Sequence, residues 1–166
     1  MPLLKNGEVA TDDWVALDPE KQPTPECNVI VTLEQWREQR ERLRGHNGRL
    51  GLRLKSDQSP AEVAGDLKHF DLVALEFPRF GDGRAYSYAR LLRERHGFTG
   101  ELRAVGNVLR DQLFFMLRCG FDAFEIADEK AVEAWRDAVT EISVLYQPTG
   151  DGRRTASALR RAAGNG

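Results

Sequence analysis

The 166-residue sequence lacks the features that mark several large classes of protein. It has no apolar run long enough to cross a bilayer, and residues 1–9 do not follow the plan of a signal peptide. Basic residues number 24 and acidic residues 26, so there is no excess of positive charge for binding a nucleic-acid backbone. We therefore expect a cytoplasmic protein that binds neither membranes nor nucleic acids.

Cysteine and histidine are scarce as well. Cys27 and Cys119 lie far apart, without the CxxC spacing of a redox pair or a zinc site, and cytosolic thiols stay reduced. His46, His69 and His96 show no metal-ligand spacing. No GxGxxG or Walker motif is present, so nothing indicates nucleotide binding by those routes. We predict reduced thiols and no metal site, and the sequence names no cofactor.

Most of the chain alternates short apolar strands with helical stretches. Thr32 with Gln35, and Ser59 with Glu62, form capping-box patterns that begin two of the helices. Short connections between alternating strands and helices indicate a mainly parallel sheet with right-handed crossovers. We predict one α/β domain of about six β/α units, as an open three-layer sheet, with an incomplete β/α barrel as the alternative. The strands are predicted at 29–31, 50–54, 72–77, 102–105, 123–126 and 143–146.

Residues 1–27 differ from the rest of the chain. Asn6 and Gly7 lie between short apolar stretches, and this pair favours a type I′ hairpin turn. Three prolines follow between residues 18 and 26. We predict an N-terminal hairpin extension with a proline-rich arm over 1–27, and the α/β domain over 28–166.

Four charged residues interrupt apolar strands, one in each of four consecutive strands: Arg53, Glu76, Arg103 and Glu125. A charge removed from water is costly unless it is paired. We therefore predict that these side chains converge and form at least two opposite-charge pairs. Two interpretations stay open: a structural ion network, or a polar floor beneath a ligand pocket at the carboxyl ends of the strands.

The sequence GDGR occurs twice, at 81–84 and 150–153, each time after an apolar strand and a proline. Gly-Asp-Gly is common turn chemistry, and Asp82 can cap the helix that follows. The functional alternative is an anion bound beside Arg84 at the start of that helix.

The predicted helix 107–119 has a polar start and an apolar body. Asn107 suits the N-cap, while Arg110 and Gln112 fall in the first turns, where they can face the same carboxyl-end crevice. Arg110 is therefore the second candidate ligand for the anion. The following residues 113–117 are apolar on more than one face, which predicts burial on two sides. That burial is expected either within the core or against a second subunit, as a homodimer contact.

The stretch FPRFGDGRAYSYARLLRERHGFTGELRAVGNVLRDQLFFMLRCGFDAFEI resembles the signature of a bacterial domain-of-unknown-function family, number nine-three-four. The resemblance extends over about residues 72–147. Members of that family are typically encoded beside sulfite reductase and other assimilatory sulfate-reduction genes, and some are labelled oxidoreductases.

The resemblance implies a cytoplasmic accessory protein of assimilatory sulfate and sulfite reduction. Sulfite reductase or another sulfur-assimilation protein is then the expected partner. The resemblance supplies no catalytic residues and no defined reaction. The alternative from the residues themselves is a small α/β enzyme or binding protein for an anionic metabolite, an oxidoreductase included, with its pocket at the strand carboxyl ends.

Overall fold

A computed structural model of the chain describes residues 2–21, 24–79, 81–128 and 130–142. The described residues form a curled, mostly parallel sheet of eight strands. The strands are β1 (Leu3–Lys5), β2 (Glu8–Ala10), β3 (Trp14–Ala16), β4 (Asn28–Thr32), β5 (Leu50–Leu54), β6 (Leu72–Phe77), β7 (Glu101–Gly106) and β8 (Ala123–Glu125). The helical elements are α1 (Leu33–Arg44), a 3-10 segment (Pro60–His69), α2 (Arg84–Arg90), a π-helical turn (Leu91–Arg95), a 3-10 turn (Arg110–Gln112), α3 (Leu113–Cys119) and α4 (Ala131–Ile142).

The order of the strands determines where the helices lie. The sheet runs β2-β1-β8-β7-β6-β5-β4-β3, so the parallel strands β3 to β8 are neighbours in chain order. Right-handed crossovers between such strands place all the helices on one side. One apolar cluster indeed joins a single face of the strands to α1, the 3-10 segment, α2, α3 and α4.

The predicted α/β class and mainly parallel sheet are therefore confirmed. The favoured open three-layer arrangement is wrong, because the strand order does not reverse along the parallel part of the sheet. The described residues have the alternative architecture, a partial β/α barrel. The predicted strand 143–146 and the second GDGR sequence at 150–153 lie outside the described residues.

The N-terminal residues are built into the same sheet. β1 and β2 form an antiparallel hairpin whose turn has positive φ at both Asn6 and Gly7. The ring of Trp135 on α4 packs directly against Gly7, where no side chain would fit. β1 also pairs antiparallel with β8, and the unpredicted strand β3 pairs parallel with β4. The segment thus supplies three strands of the sheet.

A short connection explains the curl of the sheet. Residues 11–13 join β2 at one edge to β3 at the other. The step from Ala10 to Trp14 can span at most about 14 Å, whereas the edges of a flat eight-stranded sheet would lie about 34 Å apart. The edges must therefore approach each other. Residues 11–13, called the strap below, cross the concave face, which carries none of the described helices.

Helix boundaries follow local hydrogen bonding. Both predicted capping boxes are present, at Thr32 with Gln35 and at Ser59 with Glu62. The second one begins a 3-10 segment, which is interrupted by non-helical angles at Val63.

The predicted helix 107–119 begins later than expected, at the 3-10 turn Arg110–Gln112. Asn107 is not its N-cap, because the Asn107 N–H donates to the carbonyl oxygen of Phe77 at 2.7 Å and continues the pairing with β6. Leu109 then remains extended, with φ −105 and ψ 143, directly before the turn.

Gly106 provides a test of the end of β7. Its φ is +90, and an added Cβ would lie 2.6 Å from the carbonyl oxygen of Phe77. We expect Gly106→Ala to lower the free energy of unfolding by about 2 kcal/mol, because a left-handed residue with a Cβ alone costs about 1–2 kcal/mol. Urea unfolding measures the change. Gly65→Ala is the control, since no atom lies within 4 Å of its added Cβ. Equal losses at both positions would contradict the explanation.

Candidate functional site

The four charged strand residues lie on the concave face. Cross-strand partners in a parallel sheet point to the same face, as do residues two apart along one strand. The register pairs Arg53 with Ala74, which is itself paired with Arg103. Glu76 lies two residues after Ala74 on β6. Glu125 lies two residues after Ala123 on β8, and Ala123 is the partner of Arg103, so both glutamates point to the same face. The face opposite the helices therefore carries all four predicted charges.

These charges form the two opposite-charge pairs that the sequence predicts. Arg53 Nη2 lies 3.2 Å from Glu76 Oε2, and Arg103 Nη1 lies 3.4 Å from Glu125 Oε1. The pairs differ in burial: the Arg53 side chain is 44% exposed and that of Arg103 only 1%. Because water screens exposed pairs, the pair at Arg53 contributes little to stability. Breaking the buried pair at Arg103 would cost more.

Arg103 is the centre of a buried ion network. Its Nε donates to Glu101 Oε1 at 2.9 Å, and its Nη1 donates to Asp12 Oδ2 at 2.9 Å. The other carboxylate oxygen of Glu101 accepts from Lys5 Nζ at 2.6 Å. Burial disfavours the charge of Arg103, but hydrogen bonds and attraction from Asp12 and Glu101 more than compensate, so its pKa is raised. One nitrogen, Nη2, is buried without a partner in the described residues.

Trp14, at the start of β3, and the strap before it cover part of the concave face near the amino-terminal ends of the strands. The Trp14 ring lies over Gly51, where an added Cβ would come within 3.2 Å of it, and packs against Leu72. Arg49 stacks on this ring at 4.9 Å and donates to Asp13 at 2.8 Å. Sequence reasoning assigned neither Asp12 nor Trp14 to the candidate site. Their partners lie far along the chain, and a strap of three residues has no periodic pattern.

Arg84 is held by its own loop. The buried Asp82 carboxylate accepts from Arg84 Nε at 3.0 Å, from Nη2 at 2.7 Å and from the backbone N–H at 3.2 Å. Arg84 Nη2 also donates to Ser56 Oγ at 3.0 Å, and the Tyr88 hydroxyl donates to the Ser56 carbonyl at 3.2 Å. These contacts tie the loop after β6 to the loop after β5. They also engage the guanidinium that was predicted to bind an anion.

The carboxylate of Asp82 is expected to make the stability of the protein depend on pH in the acid range. Hydrogen bonds from Arg84 hold the pKa of Asp82 well below its usual range. A depressed pKa contributes stability that is present above the unfolded-chain pKa of about 3.9 and is lost as the pH falls below it. We expect Asp82→Asn to lower Tm near neutral pH and to flatten the fall of Tm below about pH 4. Asp111→Asn, at a 91% exposed side chain, is the control and should follow the wild-type profile. A wild-type acid profile in Asp82→Asn would refute the assignment.

The remaining predicted site residues do not join Arg84. Arg110 Nη1 lies 3.9 Å from Asp128 and its Nε lies 3.7 Å from Asp111, so it faces the loop after β8 instead. Asn107 is exposed, and Gln112 has a buried side-chain oxygen without a partner in the described residues. The two arginines thus have different neighbours. The anion site that combines them stays a prediction.

α3 brings one aromatic side chain to the surface. Phe115 is 48% exposed, and its ring centroid lies 4.8 Å from that of Tyr86. Tyr86 in turn lies 5.0 Å from Phe77, which is 2% exposed. Leu113 and Met116 are fully buried. Phe115 therefore departs from the expected two-sided core, and the alternative contact with a second subunit stays a prediction.

Metal-ligating residue types form no site in the described part of the chain. There, no three histidine, cysteine, aspartate or glutamate side chains are grouped so that they could hold a metal ion. No described helix is both long and apolar enough to cross a membrane. Cys27 and Cys119 form no disulfide with each other. The polar groups described on the concave face include the ion pairs of Arg53 and Arg103 and the unpartnered Nη2 of Arg103.

Comparison with known proteins agrees with the resemblance seen in the sequence. A search of curated proteins finds no match to the chain. The model of one family, described as a bacterial protein of unknown function (DUF934), matches residues 51–157. This match extends from β5 to beyond α4, and so includes the charged strands, the GDGR loop and α3. Since it covers more than half of the chain, the protein belongs to the bacterial DUF934 family.

Proposed function

We propose that the protein is an accessory protein of assimilatory sulfate and sulfite reduction that acts by binding a protein partner. Sulfite reductase, or another protein of sulfur assimilation, is the expected partner because of the gene neighbourhood that the family resemblance implies. The observation that supports a binding role is the exposed ring of Phe115 on α3.

Several properties of this surface suit a protein contact. The Phe115 ring is held in place by Tyr86, so a partner would meet a preorganised aromatic side chain. Arg118, one turn further along α3, stacks on Phe114 at 5.6 Å. Aromatic residues and arginine are the residue types that most often dominate binding energy at protein interfaces. We call Phe114, Phe115 and Arg118 the α3 surface.

Affinity capture tests this role. The tagged protein is purified from cells grown on sulfate, and sulfite reductase and the other sulfate-assimilation enzymes are quantified by mass spectrometry. We expect one of them to be enriched with the wild type and lost with Phe115→Ser. Val15→Ser is the matched control, because Val15 is also exposed, at 57%, but lies on the edge strand β3. Enrichment of none of these enzymes, or equal enrichment by both variants, would contradict the proposal.

A second proposal keeps the anionic metabolite but centres its site on Arg110. This guanidinium has no carboxylate within 3.5 Å among the described residues, and it lines a cavity of about 350 Å³ together with Phe114 and Lys130. Three acidic side chains in the same lining oppose an anion: Asp111, Glu133 and Asp137.

Calorimetric titration with sulfate, sulfite and adenylylated sulfate tests this second site. Binding that disappears in Arg110→Gln but survives in Arg84→Gln would support it, since Arg84 is already held by Asp82. No binding of any of the three anions would eliminate it.

A further inference from the structure

A second cavity lies away from both the concave face and the α3 surface. It has a volume of about 630 Å³, within the range of small-molecule sites. Its walls are the 3-10 segment Pro60–His69, the turn that enters β6 and the loop that enters β7. Phe70 and Phe98, which are 5% and 7% exposed, provide aromatic lining.

Two charged side chains of this lining have no partner among the described residues. Lys68 and Asp71 both line the cavity, and neither forms a side-chain hydrogen bond or ion pair there. His96 also contributes to the lining, but its Nε2 is buried and is not reached from the open space of the cavity.

The charges of the lining indicate the kind of ligand. Lys68 supplies one positive charge and Asp71 one negative charge, so an ion of a single sign would be attracted by one side chain and repelled by the other. A molecule that carries both an ammonium and a carboxylate can satisfy both. An apolar portion of such a molecule would pack on Phe70 and Phe98, which are the aromatic part of the lining.

We propose that this cavity binds a small zwitterion with the chemistry of an apolar amino acid. Asp71 accepts from the ligand ammonium, and Lys68 pairs with the ligand carboxylate. The proposal is independent of the partner surface on α3, because no residue of the α3 surface lines this cavity.

Titration followed by two-dimensional NMR of the ¹⁵N-labelled protein tests the site. The probes are L-leucine, L-methionine and L-phenylalanine. The single-charge controls are n-pentylamine and pentanoate. We expect at least one amino acid to give saturable shifts in the amides of residues 64–71 and 96–100. The single-charge controls should bind about tenfold more weakly or worse, since each forfeits one ionic contact.

Substitutions at exposed positions complete the test. Lys68→Met and Asp71→Asn should each lower the affinity for the amino acid about tenfold. Both substitutions should leave the fold intact, because both side chains are exposed. Lys130→Met, in the other cavity, is the matched control and should not change the affinity. The proposal is overturned if no amino acid saturates the shifts, if pentanoate or pentylamine binds as well as the amino acids, or if Lys68→Met and Asp71→Asn bind like the wild type.

Discussion

Replacing Arg103 by methionine is expected to lower the free energy of unfolding by about 3–5 kcal/mol, which is the usual cost of removing one partner from a buried ion pair. Arg103 is fully buried, and its guanidinium is the cation shared by Asp12, Glu101 and Glu125. Without it, the three carboxylates would repel one another across the concave face. The strap would also lose the contact between Asp12 and β7, so the sheet edges would be held less firmly together.

Arg53→Met is the matched control for this experiment. Arg53 lies on the same face and pairs with a glutamate, but its side chain is 44% exposed. We expect a loss of no more than about 1 kcal/mol, because exposed ion pairs are screened by water. Guanidinium unfolding followed by circular dichroism measures both variants. Similar losses of unfolding free energy for Arg53→Met and Arg103→Met would contradict a larger contribution of the buried network to stability.

Arg93→Met is the second substitution with a large expected effect, a loss of about 2–4 kcal/mol. The Arg93 side chain, 16% exposed, lies in the π-helical turn after α2. Its nitrogens donate to three carbonyl oxygens and one carboxylate: Gly120 at 3.1 Å, Phe98 at 2.7 Å, Gly100 at 2.8 Å and Asp122 at 3.1 Å. Each charged hydrogen bond is worth about 1.5–3 kcal/mol, and water can replace only part of this set.

The geometry around Gly120 adds to the effect. Gly120 ends α3 in the left-handed conformation, and an added Cβ would lie 2.6 Å from Arg93 Cγ. Arg93 therefore fastens the end of α3 to the loops that enter β7 and β8. Arg90→Met is the control, since Arg90 has only an exposed pair with Glu94 at 3.7 Å. In hydrogen exchange, we expect Arg93→Met to speed exchange at residues 120–122 and Arg90→Met to leave it unchanged. Unchanged exchange in Arg93→Met would contradict the conclusion that Arg93 holds the end of α3 against these loops.

The sequence predicted local structure correctly where that structure depends on residues close together in the chain. The capping boxes at Thr32 and Ser59 depend on residues within one turn, so the pattern determines them. The one-per-strand charges also indicated a shared face. An unpaired buried charge is so costly that Arg103 needed partners, whichever sheet it occupied.

The missed features depend on contacts between distant residues. The strap and β3 are each three residues long, which is too short for a periodic signal, yet Asp12 supplies a carboxylate to the buried Arg103. The choice between an open sheet and a partial barrel depends on strand order, which alternation of strands and helices leaves undetermined. The start of the α3 region was misplaced because Asn107, a favourable N-cap residue, instead extends the pairing of β7 with β6.

Sedimentation velocity of the purified protein with purified sulfite reductase from the same cells tests most directly whether Phe115 binds a sulfur-assimilation enzyme. Three samples are compared: the wild type, Phe115→Ser, and an Arg53→Met, Glu76→Gln double variant of the exposed pair on the concave face. We expect the wild type and the double variant to co-sediment with the enzyme and Phe115→Ser to sediment separately from it. A complex that survives in Phe115→Ser but is lost in the double variant would contradict this expectation and would place the binding surface on the concave face.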